Sequence, residues 1–512
     1  MKNSSKIIIN TFIMYGKMIA TMFIALFSTR LVLEALGASD YGLFSLVAGI
    51  IGALSFLNKS MSTATQRYLS HQKKQGLEAM SRVFNTSMVL HFIIAFIFVI
   101  ILEAAGLFLF NGILKIDPER ILVAKIIFHS MVVSTFLSII TVPYDSLINA
   151  HEQMFIFALF SLIESLMKLA IAIYLFYSPF DRLATYGVLL TFILLILRSL
   201  RRLYSRIYYP ESKINLKAID KKLMKEMAGF SGWNVLESST YIAKGQGMPV
   251  LLNMFFGTLI NAAYGISITV RQNVVFFSDM IFRTTNPQIM SNIGNGEIKK
   301  AISQSITVCK FSYLLFAFFS IPLIVEMPFV LSIWLKNVPE YTVAFSQLTL
   351  ATVLLVMIAR GLNFLIMGIG IIKYYEIALS VLNVLVFPIS YFLLKNGLSP
   401  LYVFVGIIAS DFLVVMVRVI FASKYSNMSK LVFFKQVPLK LIPLTLAIFL
   451  LLYFPYFNVF QNPFLHFAWT LLGSTILLFL GAWFIVFNPS EKNTLINFLS
   501  SALKKLGVSL KN

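Results

Sequence analysis

The sequence predicts an all-α integral membrane protein with about fourteen transmembrane helices. Of its 512 residues, 58% are hydrophobic and only 12% are charged, and the mean hydropathy is +0.84. Soluble domains carry about 25% charged residues, roughly twice this fraction. Long apolar runs recur along the whole chain, and short basic gaps separate many of them. Lipid is therefore the medium that fits this composition.

A transmembrane helix needs about 20 mostly apolar residues. By this criterion fourteen spans are predicted, near residues 8–34, 41–66, 83–110, 119–142, 153–177, 183–205, 229–255, 261–284, 301–331, 342–367, 374–395, 400–422, 438–457 and 464–487. Basic residues collect in alternate gaps, for example Arg67, Lys73 and Arg82 after the second span. The positive-inside rule then predicts a multi-pass protein of the bacterial cytoplasmic (inner) membrane with both termini cytoplasmic.

The first half of the chain is predicted to recur in the second half. Three segments match at a common offset of about 220 residues, namely 36–38 with 256–258, 63–76 with 284–296, and 147–148 with 365–366. Each repeat holds six predicted spans, an even number, so both repeats should enter the membrane in the same direction. We therefore predict two six-helix bundles related by a pseudo-twofold axis along the membrane normal.

This pattern divides the chain into five predicted regions. They are an N-terminal six-helix bundle (1–208), a basic amphipathic cytoplasmic linker (209–228), a C-terminal six-helix bundle (229–424), two additional transmembrane helices (425–487) and a cytoplasmic amphipathic tail (488–512). In the linker one apolar stripe edged by lysines is formed by Leu216, Ile219, Leu223 and Met227. Such a stripe favours the anionic surface of a membrane, and a solvated connector is the alternative.

Several function classes are disfavoured by the residues present. The single cysteine, Cys309, allows neither an intramolecular disulfide nor a cysteine-rich zinc site. The five histidines show no H-E-x-x-H spacing, and no P-loop sequence occurs. The net charge of +21 lies between apolar runs and not in a soluble basic domain, so nucleic acid is not an expected partner. We predict no metal or other cofactor, and we do not predict an enzyme.

Ionisable residues inside the predicted spans are the candidate functional residues. A charge near the bilayer centre costs several kcal/mol (about 2.5–3.5 on insertion scales), so each needs a reason to be there. Six cations and three carboxylates lie well inside, and this surplus predicts a cavity that binds an anion. The cations are Lys17, Lys244, Arg271, Lys168, Lys125 and Lys310. The carboxylates are Glu164, Glu237 and Asp411.

Structural roles are the alternative for several of these residues. Glu164 and Lys168 stand at i and i+4, so they can neutralise each other. Lys125 and Lys310 can extend toward a membrane interface as anchors. The other three cations have no carboxylate four residues away in their own helix. They are therefore predicted to face a shared, water-accessible space between the two bundles.

One stretch of the sequence resembles a known family. Residues 29–37, the segment Tyr41-Gly42-Leu43-Phe44 and residues 64–70 are similar to polysaccharide flippases of the Wzx type. These belong to the MOP superfamily, together with lipid II flippases and MATE multidrug exporters. The local resemblance covers residues 29–76, and the resemblance in architecture, twelve helices plus two, covers the whole chain.

This resemblance implies a function and partners. The implied function is alternating-access export of an undecaprenyl-diphosphate-linked oligosaccharide repeat unit, for O-antigen of lipopolysaccharide, capsule or exopolysaccharide. Cation coupling in some members would fit Glu164, Glu237 and Asp411. Besides this lipid-linked glycan and membrane lipids, the implied partners are a polysaccharide polymerase and chain-length proteins.

Two rival functions are open at this point. A MATE-like cation-coupled multidrug exporter handles lipophilic cations, so its cavity should be net acidic, whereas the embedded residues here are net basic. A membrane-embedded glycan polymerase or ligase, which would be an enzyme, needs a large extracytoplasmic loop for its catalytic residues. The predicted outer gaps are short, and such an enzyme would not explain the repeat.

Overall fold

A computed structural model describes residues 3–52, 62, 65–70, 72, 75–151, 153–215, 218–370, 372–453, 462–493, 495–496 and 500. Side chains are described for all of these except 3–15, 228–243, 280, 283–284, 372 and 453. Within the described ranges the chain is helical and forms no β-strand.

Long helices make up the first half of the chain. They are α1 (Asn3–Gly52), α2 (Leu77–Phe108), α3 (Ile121–Ala150), α4 (Met154–Tyr174), α5 (Arg182–Tyr208), α6 (Lys221–Phe256) and α7 (Thr258–Gly294). The second half adds α8 (Ile298–Val325), α9 (Met327–Trp334), α10 (Thr342–Met357), α11 (Leu362–Ile369), α12 (Ile372–Lys395), α13 (Val403–Ser426), α14 (Lys430–Gln436), α15 (Pro438–Tyr453) and α16 (Pro463–Gly481). Short π turns (Leu109–Ile113 and Ala482–Val486) extend α2 and α16.

The described helices have the length and composition of membrane spans. Ten are long and apolar enough to cross a bilayer, or eleven if α10 and α11, which meet at 47°, form one broken span. α2 exposes Phe92, Phe96 and Ile100 along one face, and soluble proteins rarely expose such continuous apolar surface. The predicted all-α membrane protein is confirmed, and ten described spans are consistent with the predicted fourteen.

Two glycine pairs at the repeat offset adopt matching backbone conformations. Gly37 interrupts α1 with φ 78° and ψ 168°, and Gly257 separates α6 from α7 with φ 79° and ψ −165°. Gly76 before α2 and Gly296 before α8 also have positive φ, 98° and 78°. Glycine adopts such angles far more readily than other residues. The shared geometry supports the predicted repeat.

α1 and α7 cross each other through small residues. A Cβ added to Gly42 would collide with the backbone of Thr258 and approach the Ala262 nitrogen to 3.0 Å, and one on Gly265 would lie 2.7 Å from Ser45 Oγ. Ala262 follows Gly42 by 220 residues, and Gly265 follows Ser45 by the same offset. Each contact thus joins a residue to its own counterpart, as happens at a twofold axis. Small residues permit this close approach of membrane helices.

The last part of the predicted linker is the start of α6. Asp220 accepts hydrogen bonds from the amides of Lys222 and Leu223 at 2.9 and 3.0 Å, which starts α6 at Lys221. The helix then continues without a break to Phe256. Leu223 packs in a buried cluster with Leu90 and Met227, so Leu223 and Met227 of the apolar stripe contact protein. The position of the linker on the membrane surface stays a prediction.

The chain divides into two compact units. The first comprises Met1–Ile266, Trp334–Thr342 and Phe387–Pro400, and the second comprises Ser267–Ile333, Val343–Val386 and Leu401–Asn512. The division falls inside α7, whereas the sequence placed the boundary between bundles at the linker. Each unit is described separately below.

In the first unit, ion pairs fasten the helix ends near Gly37. Arg120, just before α3, donates from Nε to Asp40 Oδ1 at 3.0 Å and from Nη1 to Asp181 Oδ2 at 2.5 Å. Asp181 also caps α5 by accepting the Ala184 amide at 2.9 Å. Burial acts to raise the pKa of Asp181, but these hydrogen bonds outweigh it and lower the pKa below its usual value. The pairs join α1, α3 and α5 at one end of the unit.

Candidate functional site

Six charged side chains from four helices of the first unit form the N-terminal charge cluster. Two residues on α4 are spaced i and i+4, and two on α5 are spaced i and i+3, so each pair lies on one face of its helix. The members are Lys17 on α1, Asp145 on α3, Glu164 and Lys168 on α4, and Arg198 and Arg201 on α5.

Arg201 connects three of the four helices. Its Nη1 atom lies 3.1 Å from Asp145 Oδ2, and its Nη2 atom lies 3.5 Å from Glu164 Oε2. Lys168 Nζ donates to the other oxygen of Glu164, Oε1, at 2.8 Å. Glu164 is therefore shared between an arginine and a lysine, while Asp145 pairs with the arginine.

Arg198 supplies donors that are not satisfied within the cluster. Its Nε and Nη1 atoms are buried and have no hydrogen-bond partner among the described residues. The acceptor Asp145 Oδ1 is also buried without a hydrogen-bond partner among these residues. Arg198 is within electrostatic range of Asp145, Arg201 and Glu164. An unsatisfied buried donor costs about 1–3 kcal/mol, and more when it is charged. These donors are the groups that an added water or anion would satisfy.

Aromatic rings on α4 line the cationic side of the cluster. Lys17 Nζ lies 4.5 Å from the centre of the Phe157 ring, and the Arg201 guanidinium lies 5.6 Å from that of Phe160. Ring faces attract cations, so both contacts hold positive charge in place without neutralising it. Among the described residues no salt bridge to Lys17 is formed, although the charges of Glu164 and Asp145 act on it.

The cluster has a surplus of positive charge and one accessible edge. With all groups ionised, four cations face two carboxylates, which leaves two positive charges unbalanced. The exposed fraction of the side chain falls from 43% for Lys168 to 24% for Glu164 and 13% for Arg201. Arginine and lysine donors with this geometry suit carboxylate or phosphate oxygens. The accessible edge therefore lies at Lys168.

Hydroxyl groups beside the cluster are satisfied within their own helices. Ser161 and Ser165 donate to carbonyls one turn earlier in α4, at 2.9 and 3.1 Å, and Thr21 donates to the Met18 carbonyl at 3.0 Å. Such back-bonding uses the hydroxyl proton locally. The unsatisfied donors of the cluster therefore belong to its charged side chains.

Four other predicted residues are not described members of the N-terminal charge cluster. Lys244, Arg271 and Asp411 are partly buried on α6, α7 and α13, and each interacts with other residues. The side chain of Glu237 lies outside the described residues.

Lys125 is on the surface of α3. It lines a small cavity of about 110 Å³ with Glu103 and His129, whose Oε1 and Nδ1 atoms lie 3.0 Å apart. Its exposed position fits the anchor alternative better than the predicted cavity role.

Lys310 requires a correction. It is fully buried on α8, and its Nζ donates to both carboxylate oxygens of Glu491 at 3.1 and 3.0 Å. Glu491 follows the last candidate span, which ends at Val486, so the pair lies beside the end of that span. Full burial and a paired carboxylate favour a structural role for Lys310 over the predicted cavity role, and its depth in the bilayer stays a prediction. The ion pair of Lys310 with Glu491 therefore attaches the start of the tail to α8.

Three members of the cluster were missed in the sequence. Arg198 and Arg201 fall in the last residues of the predicted sixth span (183–205) and were not counted among the candidate residues. α5 continues to Tyr208 and packs Arg201 against α3 and α4. The i and i+3 spacing of Arg198 and Arg201 on one helical face was the available signal. Asp145, one turn before the end of α3, carried no comparable pattern.

The second unit holds an arginine at the repeat position of Arg198. Arg418 on α13 follows Arg198 by 220 residues, and its Nε and Nη1 atoms are likewise buried without a hydrogen-bond partner among the described residues. In the same unit, Arg360 Nη2 lies 2.8 Å from Asp279 Oδ1 and its guanidinium lies 4.6 Å from the Phe282 ring centre. Both units thus bury arginine on equivalent helices.

Comparisons with known proteins identify the fold. No family model matches the chain, and no curated protein sequence matches it. An inward-facing multidrug resistance MATE family transporter of the MOP superfamily superposes with a TM-score of 0.67 at 13% identity, covering 80% of this chain and 94% of that one. The lipid II flippase MurJ, inward closed, gives a TM-score of 0.61 at 13% identity over 93% and 98%.

At these identities the likeness shows the fold alone. An outward-facing MATE structure of the MOP superfamily gives a TM-score of 0.50 at 13% identity, covering 83% and 94% of the two chains. The chain has the fold of MOP-superfamily transporters, and it is a multi-pass membrane protein. The predicted fold is confirmed, and membership of the superfamily and of its Wzx branch stays a prediction.

Proposed function

We propose that the protein is a flippase that moves an undecaprenyl-diphosphate-linked oligosaccharide across the cytoplasmic membrane by alternating access. The observation that carries the proposal is the N-terminal charge cluster, which has two surplus positive charges and the unsatisfied donors of Arg198. A fold shared with a lipid II flippase over 93% of this chain supports it.

The chemistry of a diphosphate matches this cluster. A charged headgroup that leaves water needs replacement donors, because an unpaired charge in an apolar medium is very costly. Arginine offers a planar fork of N–H groups that binds two phosphate oxygens at once, and lysine adds a point charge. Arg198 and Arg201 supply forks, and Lys17 and Lys168 supply ammonium groups.

The location of the cluster suits loading from the cytoplasm in the proposed topology. α5 ends at Tyr208 in a gap proposed to be cytoplasmic, and Arg201 lies two turns before that end. Lys17 lies early in α1, after an N-terminus also proposed to be cytoplasmic. Lys244 and Arg271 are proposed to add cations along the path, and a polymerase and chain-length proteins are proposed partners.

A MATE-like multidrug exporter is the second candidate, because the MATE superposition has the higher TM-score, 0.67 against 0.61. A cavity for lipophilic cations should offer unpaired carboxylates. In the cluster both carboxylates already face cations. Its electrostatics therefore favour an anionic substrate.

Transport by the purified protein distinguishes these two candidates. In liposomes, we expect the wild-type chain to move a fluorescent undecaprenyl-diphosphate-linked saccharide between leaflets, with no uptake of ethidium, a lipophilic cation. Empty liposomes and liposomes with an unrelated membrane protein give the background. Ethidium transport without movement of the lipid-linked saccharide would establish the exporter and refute the flippase.

A further inference from the structure

Glu164 occupies two of the cations that the proposed anionic substrate would bind. Its two oxygens contact Lys168 Nζ at 2.8 Å and Arg201 Nη2 at 3.5 Å. Lys168 is the most exposed member of the ion pairs in the cluster, with 43% of its side chain accessible. A phosphate that arrives from this edge therefore reaches donors that a carboxylate already holds.

We propose that Glu164 is an internal counter-anion that the substrate's phosphate displaces, an inference that rests on the proposed flippase function. In the empty protein Glu164 keeps Lys168 and Arg201 in position. When phosphate oxygens take over these donors, the carboxylate moves away. Its return then competes with the phosphate and promotes release of the headgroup.

The two carboxylates of the cluster are suited to different roles. Asp145 pairs with Arg201 at 3.1 Å and lies within electrostatic range of Arg198. Glu164 reaches Arg201 only at 3.5 Å, which is longer than a normal hydrogen bond. The longer contact is the easier one to exchange. Asp145 is therefore a positioning residue for Arg201, and Glu164 is the exchangeable partner.

Exchange keeps the buried charges compensated in both states. Leaving a buried charge without its partner is strongly destabilising. A cluster with no internal counter-anion would be poorly compensated when empty and would hold a diphosphate too tightly to release it. Glu164 addresses both problems, because it covers the cations before loading and competes for them after transport.

Binding of undecaprenyl diphosphate to the protein in nanodiscs tests the displacement. Glu164→Gln removes the competing charge, so we expect tighter binding, on the order of tenfold, as for loss of one charge-assisted hydrogen bond that opposes the ligand. Its translocation rate in liposomes should fall, because release becomes slow. Asp145→Asn is the matched control, with the same charge change at the positioning residue, and should not tighten binding.

The possible outcomes separate this inference from the proposed function. Unchanged or weaker binding by Glu164→Gln, while the wild type binds, would overturn the displacement and leave the flippase standing. Equal tightening by both variants would overturn it too, because a general charge effect would then explain the result. A wild type that does not bind undecaprenyl diphosphate would refute the proposed function itself. Elution as a single species from size-exclusion chromatography confirms that each variant is folded.

Discussion

The N-terminal charge cluster and the Lys310–Glu491 pair both remove charges from water, but they differ in how completely their donors are satisfied. At Lys310 the ammonium donates to both oxygens of one carboxylate, with the side chains 0% and 9% exposed, and Lys440 lies within electrostatic range of the pair. Thr307 Oγ1 and the Asn488 amide complete the partners of that carboxylate at 3.0 and 2.8 Å. In the cluster, four cations share two carboxylates, and donors of Arg198 are left over.

This difference is the basis for the two proposed roles. The Lys310–Glu491 pair has its ammonium and carboxylate hydrogen-bonded to each other, and it joins the tail to α8. The cluster has surplus charge and buried donors that a water or an anion can satisfy. Unsatisfied donors, not burial alone, therefore distinguish the two sites.

The largest effect is expected at Arg201, which contacts both carboxylates of the cluster. Arg201→Ala removes this connection, and we expect translocation of the lipid-linked saccharide to fall by on the order of 100-fold, the scale of a lost buried charged contact. Arg201→Lys should keep part of the rate, because the charge remains but the fork does not. The exposed Arg82 provides the matched control, Arg82→Gln. Normal translocation by Arg201→Ala would remove the cluster from the mechanism.

Lys310 should affect stability and not substrate binding. Lys310→Met leaves Glu491 buried without its partner, and the free energy of unfolding should fall by about 3–5 kcal/mol. The double variant Lys310→Met with Glu491→Leu should recover most of that loss. Denaturant unfolding in detergent measures the stability of the single and the double variant. The folded fraction of each should bind undecaprenyl diphosphate at the wild-type level. A stable Lys310→Met variant that no longer binds would reverse the roles of the two sites.

A smaller effect is expected at Lys168, because more than a third of its side chain is accessible. Exposed ion pairs contribute only about 0.2–1 kcal/mol. Lys168→Gln should therefore weaken binding of undecaprenyl diphosphate only a few fold. Added salt should reduce the difference in affinity between the variant and the wild type. Lys300→Gln, at a surface ion pair on α8, is the control. If Lys168→Gln reduced the affinity for undecaprenyl diphosphate as strongly as Arg201→Ala does in the same binding assay, the accessible edge would dominate recognition.

Much of the fold could be predicted from the sequence because membrane spans follow from local composition. Gly37 and Gly257 marked breaks that the backbone confirms, since few other residues adopt their φ angles. The broken pair α10 and α11 was predicted as one span, because hydropathy does not register a bend.

The site was only partly predictable, because charge pairing between helices leaves no local pattern. Lys17, Glu164 and Lys168 stood out as charges within apolar runs. Arg198 and Arg201 lie near the end of α5, where a basic residue resembles a loop residue. The pairing of Lys310 could not be predicted, because its partner, Glu491, lies 181 positions away in the chain.

Binding of undecaprenyl diphosphate to the Arg198→Gln variant tests the central claim most directly. Arg198 has the unsatisfied donors, so its replacement removes ligand contacts and breaks no hydrogen bond within the described residues. In nanodiscs we expect the dissociation constant to rise by on the order of tenfold or more relative to wild type and to the Arg82→Gln control, with unfolding unchanged. Wild-type affinity in the Arg198→Gln variant would contradict the account, because the surplus charge of the cluster would then serve no anion.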